Sequence, residues 1–303
     1  MRGRFAPSPT GELHIGNLRT ALWAWLFARS DGSEFVLRFE DLDPATVRDE
    51  QYDTQRRDLE RIGVDWDVEL SQADDLEPYR SAIAALDGQG LVYRCYCSRR
   101  EIQEASAAPH GDLPEGAYPG TCRELTAAER QQREAEGRPY ALRLRTDGAS
   151  VSFVDTVHGE ASARLDDTVL ARRDGMPAYN LAVVVDDAAQ RIEHVVRGDD
   201  LLLSTPRQLH LGRLLGRRDP VHSHVPLVLG PTGARLAKRD GAVTLADREA
   251  LGESPAQVRG LLAASMGLAG AGAEPTPLEL LDAFDPTSIP TDPFTFDGSS
   301  SET

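Results

Sequence analysis

Arg4-Phe5-Ala6-Pro7-Ser8-Pro9-Thr10-Gly11-Glu12-Leu13-His14-Ile15-Gly16-Asn17 is the stretch on which the reading of this chain turns. A strand-like run from Arg2 to Ala6 is stopped by Pro7 and Pro9, and the glycines that follow let backbone approach a ligand closely. From Leu18 to Arg29, apolar Leu18, Ala21, Leu22, Trp25 and Leu26 recur at helical spacing, and Gly32 closes that helix. His14 and Asn17 therefore fall where a helix begins. A helix N-terminus presents unpaired N–H groups and the positive end of the helix dipole, so the spacing predicts a nucleotide-phosphate site here.

The other informative position is near the far end. Of the 33 basic residues one, Lys238, is lysine and the other 32 are arginine; it sits in Arg235-Leu236-Ala237-Lys238-Arg239-Asp240-Gly241. Lysine is a compact point charge on a flexible stem, whereas arginine is a rigid planar fork. A position that keeps its ammonium in a chain otherwise made basic by guanidinium points to a group that follows a moving phosphate.

Together, His14 to Asn17 and Arg235 to Arg239, with Phe5 to Gly11, resemble the HIGH and KMSKS signatures of class I aminoacyl-tRNA synthetases. Glu34 to Phe39 leading into Glu40-Asp41-Leu42-Asp43 resembles the glutamyl branch of that class. The resemblance implies glutamate contacts at Arg4, Ser8, Glu40, Tyr179 and Arg197, and ATP contacts at His14, Gly16, Asn17 and Lys238. His14 and Lys238 would be the catalytic donors, and Mg²⁺ would arrive with ATP. The chemistry suits the types: an arginine fork reads a carboxylate, Glu40 accepts from an ammonium, and Tyr179 offers a hydroxyl. Asn17 stands where the class has its last histidine, and Arg235 and Ala237 where it has lysine and serine. The two phosphate-directed donors are unaltered in kind.

All three cysteines, Cys95, Cys97 and Cys122, cluster, and no secretory signal or apolar run of membrane-spanning length precedes them. A reducing cytoplasmic compartment and a structural metal are expected rather than disulfides. Zinc takes four ligands, and composition leaves the fourth open among His110, Asp112, Glu115 and Tyr118, histidine being the common partner of thiolates. The chain resembles the glutamyl-Q tRNA(Asp) synthetase family here, with Cys-x-Cys, a variable loop and then Tyr-x-x-x-Cys; that resemblance implies Tyr118 as fourth ligand of one Zn²⁺, ahead of His110.

The expected fold is α/β: a class I synthetase Rossmann-like parallel sheet with a zinc-binding insertion and a short helical C-terminal region. Residues 1–90 give the first half of the catalytic domain and 91–173 the insertion. The second half, with the lysine loop, takes 174–242, helices take 243–287, and the tail 288–303 is expected to be disordered. Within this, 34–39, 139–145, Tyr179 to Val185 and Ile192 to Arg197 read as strands; 46–62, 204–215, 255–266 and 277–284 read as helices, with Thr126 and Glu129 as a capping box. The residues after Lys238 are expected to leave no room for the helical anticodon region of ordinary glutamyl-tRNA synthetases.

The implied function is ATP-dependent activation of L-glutamate and transfer to queuosine in tRNA(Asp). The alternatives are charging of a terminal adenosine, or a non-catalytic paralogue that binds tRNA or the adenylate. A monomer with no membrane partner is expected. Net charge of −16 opposes backbone binding of RNA, so arginine clusters at 99–100, 172–173, 213, 217 and 218 would have to make a locally positive groove. Lys238→Arg, although charge-conserving, should lower glutamate-dependent ATP–pyrophosphate exchange on the order of 10²-fold or more, as loss of a placed donor does; near-wild-type exchange would refute the argument from the lone lysine.

Overall fold

The computed structural model describes residues 1–106, 117–236 and 243–298. Lys238 and His110 lie outside the described residues. In chain order the elements are β1 (Gly3–Phe5), α1 (Ile15–Arg29), β2 (Phe35–Phe39), α2 (Asp49–Arg61), β3 (Val68–Ser71), α3 (Glu77–Gly88), β4 (Val92–Cys95), α4 (Arg99–Ser106) and α5 (Ala127–Ala135). They continue with β5 (Ala141–Leu144), β6 (Ser150–Asp155), β7 (Gly159–Arg164), β8 (Val169–Ala171), α6 (Tyr179–Ala189), β9 (His194–Gly198), α7 (Thr205–Leu214), β10 (Val221–Val225) and β11 (Val228–Leu229). Last come α8 (Leu245–Ala250), α9 (Pro255–Ser265), α10 (Pro277–Ala283) and β12 (Phe294–Thr295).

The central sheet runs β3-β2-β1-β9-β10-β6-β7 and is parallel except for the β6–β7 hairpin at its edge. Strand order reverses between β1 and β9. In open α/β sheets a ligand crevice forms outside the carboxyl ends of the strands at such a switch point, which here means beyond Phe5 and Gly198. A separate antiparallel sheet, β4-β5-β8, carries the cysteine region. The β6–β7 hairpin lies within 91–173 by sequence, yet β6 pairs with β10 through His222 and Asp155, so this part of the expected insertion joins the central sheet.

Helix α1 is buried almost all round, Trp23, Ala24 and Phe27 included. It is covered on its outer side by the C-terminal helices, with the Trp23 and Phe27 rings 6.0 and 5.0 Å from that of Phe284. A helix apolar on every face has to be covered on every face.

Two expectations are corrected. Tyr179 to Val185 is the start of helix α6. A β-branched run such as Val183-Val184-Val185 favours a strand locally, but as a helix the segment packs Leu181, Ala182 and Val185 against Leu144, Leu170 and Leu211, and packing overrides propensity. The tail is ordered as far as Gly298: β12 pairs with β11, and Phe296, 2% exposed, packs beneath the Arg248 guanidinium. Phe296→Ala should therefore lower unfolding free energy by about 3–5 kcal/mol, read from urea denaturation; a shift within about 0.5 kcal/mol, the range of surface changes, would mean that the tail closes nothing.

Candidate active site

Beyond the ends of β1 and β9 lies a cleft of about 520 Å³, and Arg4, Ser8, His14, Gly16, Asn17, Glu40, Tyr179 and Arg197 all line it. Every described residue expected to touch glutamate or ATP thus meets in one place.

At one end is the start of α1. His14 is its N-cap: the ring Nδ1 accepts from the Asn17 backbone N–H at 3.2 Å, and Asn17 Oδ1 accepts from the His14 backbone N–H at 3.2 Å. With Nδ1 an acceptor, the ring proton sits on Nε2, and burial, with Arg235 nearby, holds the pKa down at about 4. The residue is a neutral donor at pH 7. Gly16 is required by this ring, since a Cβ there would come within 2.9 Å of His14 Cε1. The described flanks of the lysine loop attach here too: Val243 O accepts from Ile15 N at 2.8 Å, Thr244 bridges His14, and Arg235, which lines the cleft, pairs with Asp200 at 2.8 Å.

The other end is floored by buried charge. Arg38, fully buried one residue before the end of β2, donates to Asp187 Oδ1 at 2.6 Å and to Glu40 Oε1 at 3.3 Å; Arg4 donates to the same Asp187 oxygen at 3.3 Å. Burial alone would raise the Asp187 pKa, but the two guanidinium groups outweigh it and hold it below the usual carboxylate range. Glu40 is raised, because burial prevails there over Arg38 and Arg4. A ligand ammonium would restore its charge.

Arg197 differs from Arg4 and Arg38. It is 6% exposed, and its partners are neutral: His224 Nε2 at 3.1 Å, Thr205 Oγ1 at 2.8 Å, and, at 3.5 Å each, the Tyr179 hydroxyl and Leu201 O. Burial without a carboxylate partner lowers its pKa. The Tyr179 ring is exposed at the cleft lip while its hydroxyl points inward to Arg197. Such a floor suits a ligand with a carboxylate for Arg197 and an ammonium for Glu40, and the helix N-terminus suits a phosphate. Arg38, Asp187, His224 and Asp155 were not identified from sequence. The signal was an arginine inside the apolar strand Phe35 to Phe39 and a pair of aspartates ending an apolar run.

The cysteine cluster is a second constellation. The Cys95, Cys97 and Cys122 sulfurs lie within 4.8 Å of one another, Cys97 and Cys122 being 3.4 Å apart. The Tyr118 hydroxyl is 3.3 Å from Cys95 Sγ and 4.0 Å from Cys97 Sγ. Tetrahedral zinc with bonds of about 2.3 Å needs ligand separations near 3.8 Å, so these four groups fit it. The Arg143 guanidinium lies 3.8 Å from the Tyr118 ring centre and offsets the charge such a ligand set would gather.

The family of class I tRNA synthetases (E and Q), catalytic domain, matches residues 1–271. A glutamyl-Q tRNA(Asp) synthetase of Nocardia farcinica is 56% identical over 96% of this chain and 92% of its own length. One of Symbiobacterium thermophilum is 47% identical over 96% of this chain and 94% of its own. The chain belongs to the glutamyl-Q tRNA(Asp) synthetase family. It is a ligase of the class I synthetase fold. The crystal structure of a glutamate tRNA ligase from Elizabethkingia meningosepticum, determined with its amino acid, superposes with a TM-score of 0.83 at 26% identity, covering 98% of this chain and 67% of that one. Among the described residues no helix is long and apolar enough to cross a membrane.

Two outcomes follow from the site geometry. Freshly purified protein should hold about one zinc per chain, lost in Cys97→Ser and retained less by Tyr118→Phe than by His110→Ala; elemental analysis finding no metal, or loss in His110→Ala alone, contradicts this ligand set. Burial also holds three histidines neutral, His14 and His194 at about 4 and His222 at about 3, against an ordinary 6.5. The unfolded chain therefore binds protons that the fold refuses, and stability present above pH 6.5 is lost as pH falls through that value towards 4. Asp58, raised by burial to about 6, works in the opposite direction, as do Glu40, Asp186 and Asp199, also raised by burial, while His210 and His224, lowered by burial, add to the loss. Urea midpoints should fall on acidification across this window; a rise would overturn the assignment.

Proposed function

We propose that this protein joins L-glutamate to AMP at the expense of ATP and then transfers the glutamyl group to the queuosine base of tRNA(Asp). The observation that carries the glutamate half is the cleft floor, where the hydrogen bonds of Arg197 go to neutral groups, Asp187 and Glu40 act on it only at longer range, and the ionisation of Glu40 is suppressed by burial. In the first step an oxygen of the α-carboxylate attacks the α-phosphorus and pyrophosphate leaves with the bond it releases. Arg197 holds the side-chain carboxylate, Glu40 takes the ammonium, and Arg4, Ser8 and Tyr179 complete the pocket. His14 donates from Nε2 to phosphate oxygen, with the backbone after Gly16 and Lys238 as further donors; Mg²⁺ accompanies the nucleotide. In the second step a queuosine hydroxyl attacks the acyl carbon and AMP departs. Zinc on Cys95, Cys97, Cys122 and Tyr118 has a structural part, tying β4 to the loop that follows.

The tRNA half rests on the relatives' names and on a second cleft, of about 1110 Å³, between α3, α5 and the β4-β5-β8 sheet. Arg80, Arg94, Arg130, Arg138, Arg172 and Arg173 line it. Arg80, Arg94, Arg138 and Arg172 are ion-paired, so Arg130 and Arg173, set against the carboxylate of Asp87 that also lines the cleft, supply its excess of positive charge. A phosphate backbone suits such a surface on an otherwise acidic chain. Of the earlier clusters, Arg172 and Arg173 fall here, while Arg213 is paired with Asp219.

The test is exchange with glutamate, glutamine and aspartate, followed by transfer of labelled glutamate to tRNA(Asp) with and without queuosine. Glutamate alone should support exchange, and transfer should require queuosine. Arg197→Gln should raise the glutamate KM steeply and leave that for ATP nearly unchanged, because the side-chain carboxylate of the substrate, desolvated in the cleft, then lacks a cationic partner. Equal use of glutamine by wild type removes Arg197 from the pocket, and charging of queuosine-free tRNA at its terminal adenosine replaces the second half of the reading.

A further inference from the structure

The neutral partners of Arg197 are themselves organised. Arg197, His224 and Asp155 stand on the neighbouring strands β9, β10 and β6, near their carboxyl ends, with His224 the cross-strand partner of Arg197. Asp155 is 1% exposed and His224 fully buried. Asp155 Oδ2 lies 2.6 Å from His224 Nδ1, and its carboxylate also accepts from the backbone N–H groups of Val157, His158 and His224. A carboxylate so supplied with donors stays ionised: although burial favours the acid, its pKa is held down to about 2.

Against an ionised carboxylate, His224 Nδ1 has to carry the ring proton. The lone pair is then on Nε2, where Arg197 Nε–H points at 3.1 Å and the Thr205 hydroxyl lies at 3.1 Å. With Arg197 Nε–H on His224 and one Nη2–H on Thr205, the Nη1–Nη2 edge of the fork carries only the long 3.5 Å contacts to the Tyr179 hydroxyl and Leu201 O, which a ligand carboxylate would displace. Arg4 and Arg38 are fixed by carboxylates and so largely neutralised. A neutral imidazole orients a guanidinium equally well without cancelling its charge.

We infer that His224, oriented by Asp155, is a positioning residue that holds the Arg197 fork while leaving its charge uncancelled, and so sets the preference of the cleft for a carboxylate over a carboxamide. The inference rests on the glutamate reading above. A phosphate or nucleotide is not its target, since His224 and Asp155 are buried behind Arg197 and do not themselves line the cleft.

The test compares His224→Asn with His224→Gln by ATP–pyrophosphate exchange, using glutamate and glutamine as the probes. An asparagine amide overlays Nδ1 and keeps the bond to Asp155 but cannot reach Arg197; a glutamine carbonyl overlays Nε2 and can accept from Arg197 Nε–H. Loss of a hydrogen bond to a charged group is worth about 10–100-fold in affinity. His224→Asn should therefore raise the glutamate KM by about that factor and reduce the glutamate-over-glutamine ratio, with the ATP KM changed less than about twofold; His224→Gln should recover much of both. Equal impairment of the two variants with the ATP KM rising alongside, or unaltered glutamate KM and selectivity in His224→Asn, overturns the positioning role. Absence of glutamate-dependent exchange in wild type overturns instead the reading on which it rests.

Discussion

The buried charge cluster of Arg4, Arg38, Asp187 and Glu40 is the constraint on which the rest of the structure depends. Removing ions from water is costly, and the cost is met only when the partners are close and the remaining hydrogen-bonding groups are satisfied. Here Asp187 serves Arg4 from β1 and Arg38 from β2 at once, and the adjacent Asp186 is satisfied by Gln72 and Tyr79, with the buried Arg38 Nε left 3.9 Å from Asp186 and without a hydrogen bond among the described residues. Those contacts locate α6 against the ends of the first strands, and Tyr179, the first residue of α6, then reaches Arg197 across the switch point. Cleft and fold are consequences of one arrangement of charges.

The two ends of the cleft are built on different physics. At the α1 end, backbone N–H groups and a neutral histidine donor offer attraction to phosphate without a fixed cation among the described residues of that end other than Arg235, itself paired with Asp200. At the sheet end, full charges sit where water is excluded, so each one demands a partner. Such a division lets a polyphosphate enter and leave at one end while the other end discriminates among amino acids by charge. It agrees with membership of a family whose other members carry a glutamyl name, and with the fold shared with a glutamate tRNA ligase.

Much of this was legible in the sequence because the relevant residues are punctuated by glycine and proline. Pro7, Pro9, Gly11 and Gly16 mark the β1–α1 junction, and the cap formed by His14 and Asn17 lies where that punctuation puts it. The cysteine cluster was equally visible, three scarce residues close in sequence being close in space. What was illegible depends on pairing across the fold. Val183-Val184-Val185 has the local signature of a strand, and its helix is imposed by the core beneath it and by the aspartates that follow. The burial of Phe296, which orders a polar tail, and the alignment of Asp155, His224 and Arg197 across three strands both depend on sheet order, which no local pattern encodes.

The central claim is that the Arg197 fork receives the side-chain carboxylate of glutamate while the α1 N-terminus receives the nucleotide. A crystal structure with a non-hydrolysable analogue of glutamyl-adenylate tests it most directly. The account predicts the side-chain carboxylate on Arg197 Nη1 and Nη2, the α-ammonium against Glu40, and the phosphate mimic beside His14 and the backbone after Gly16. A carboxylate bound elsewhere, with the Arg197 fork facing water or the nucleotide, would contradict it.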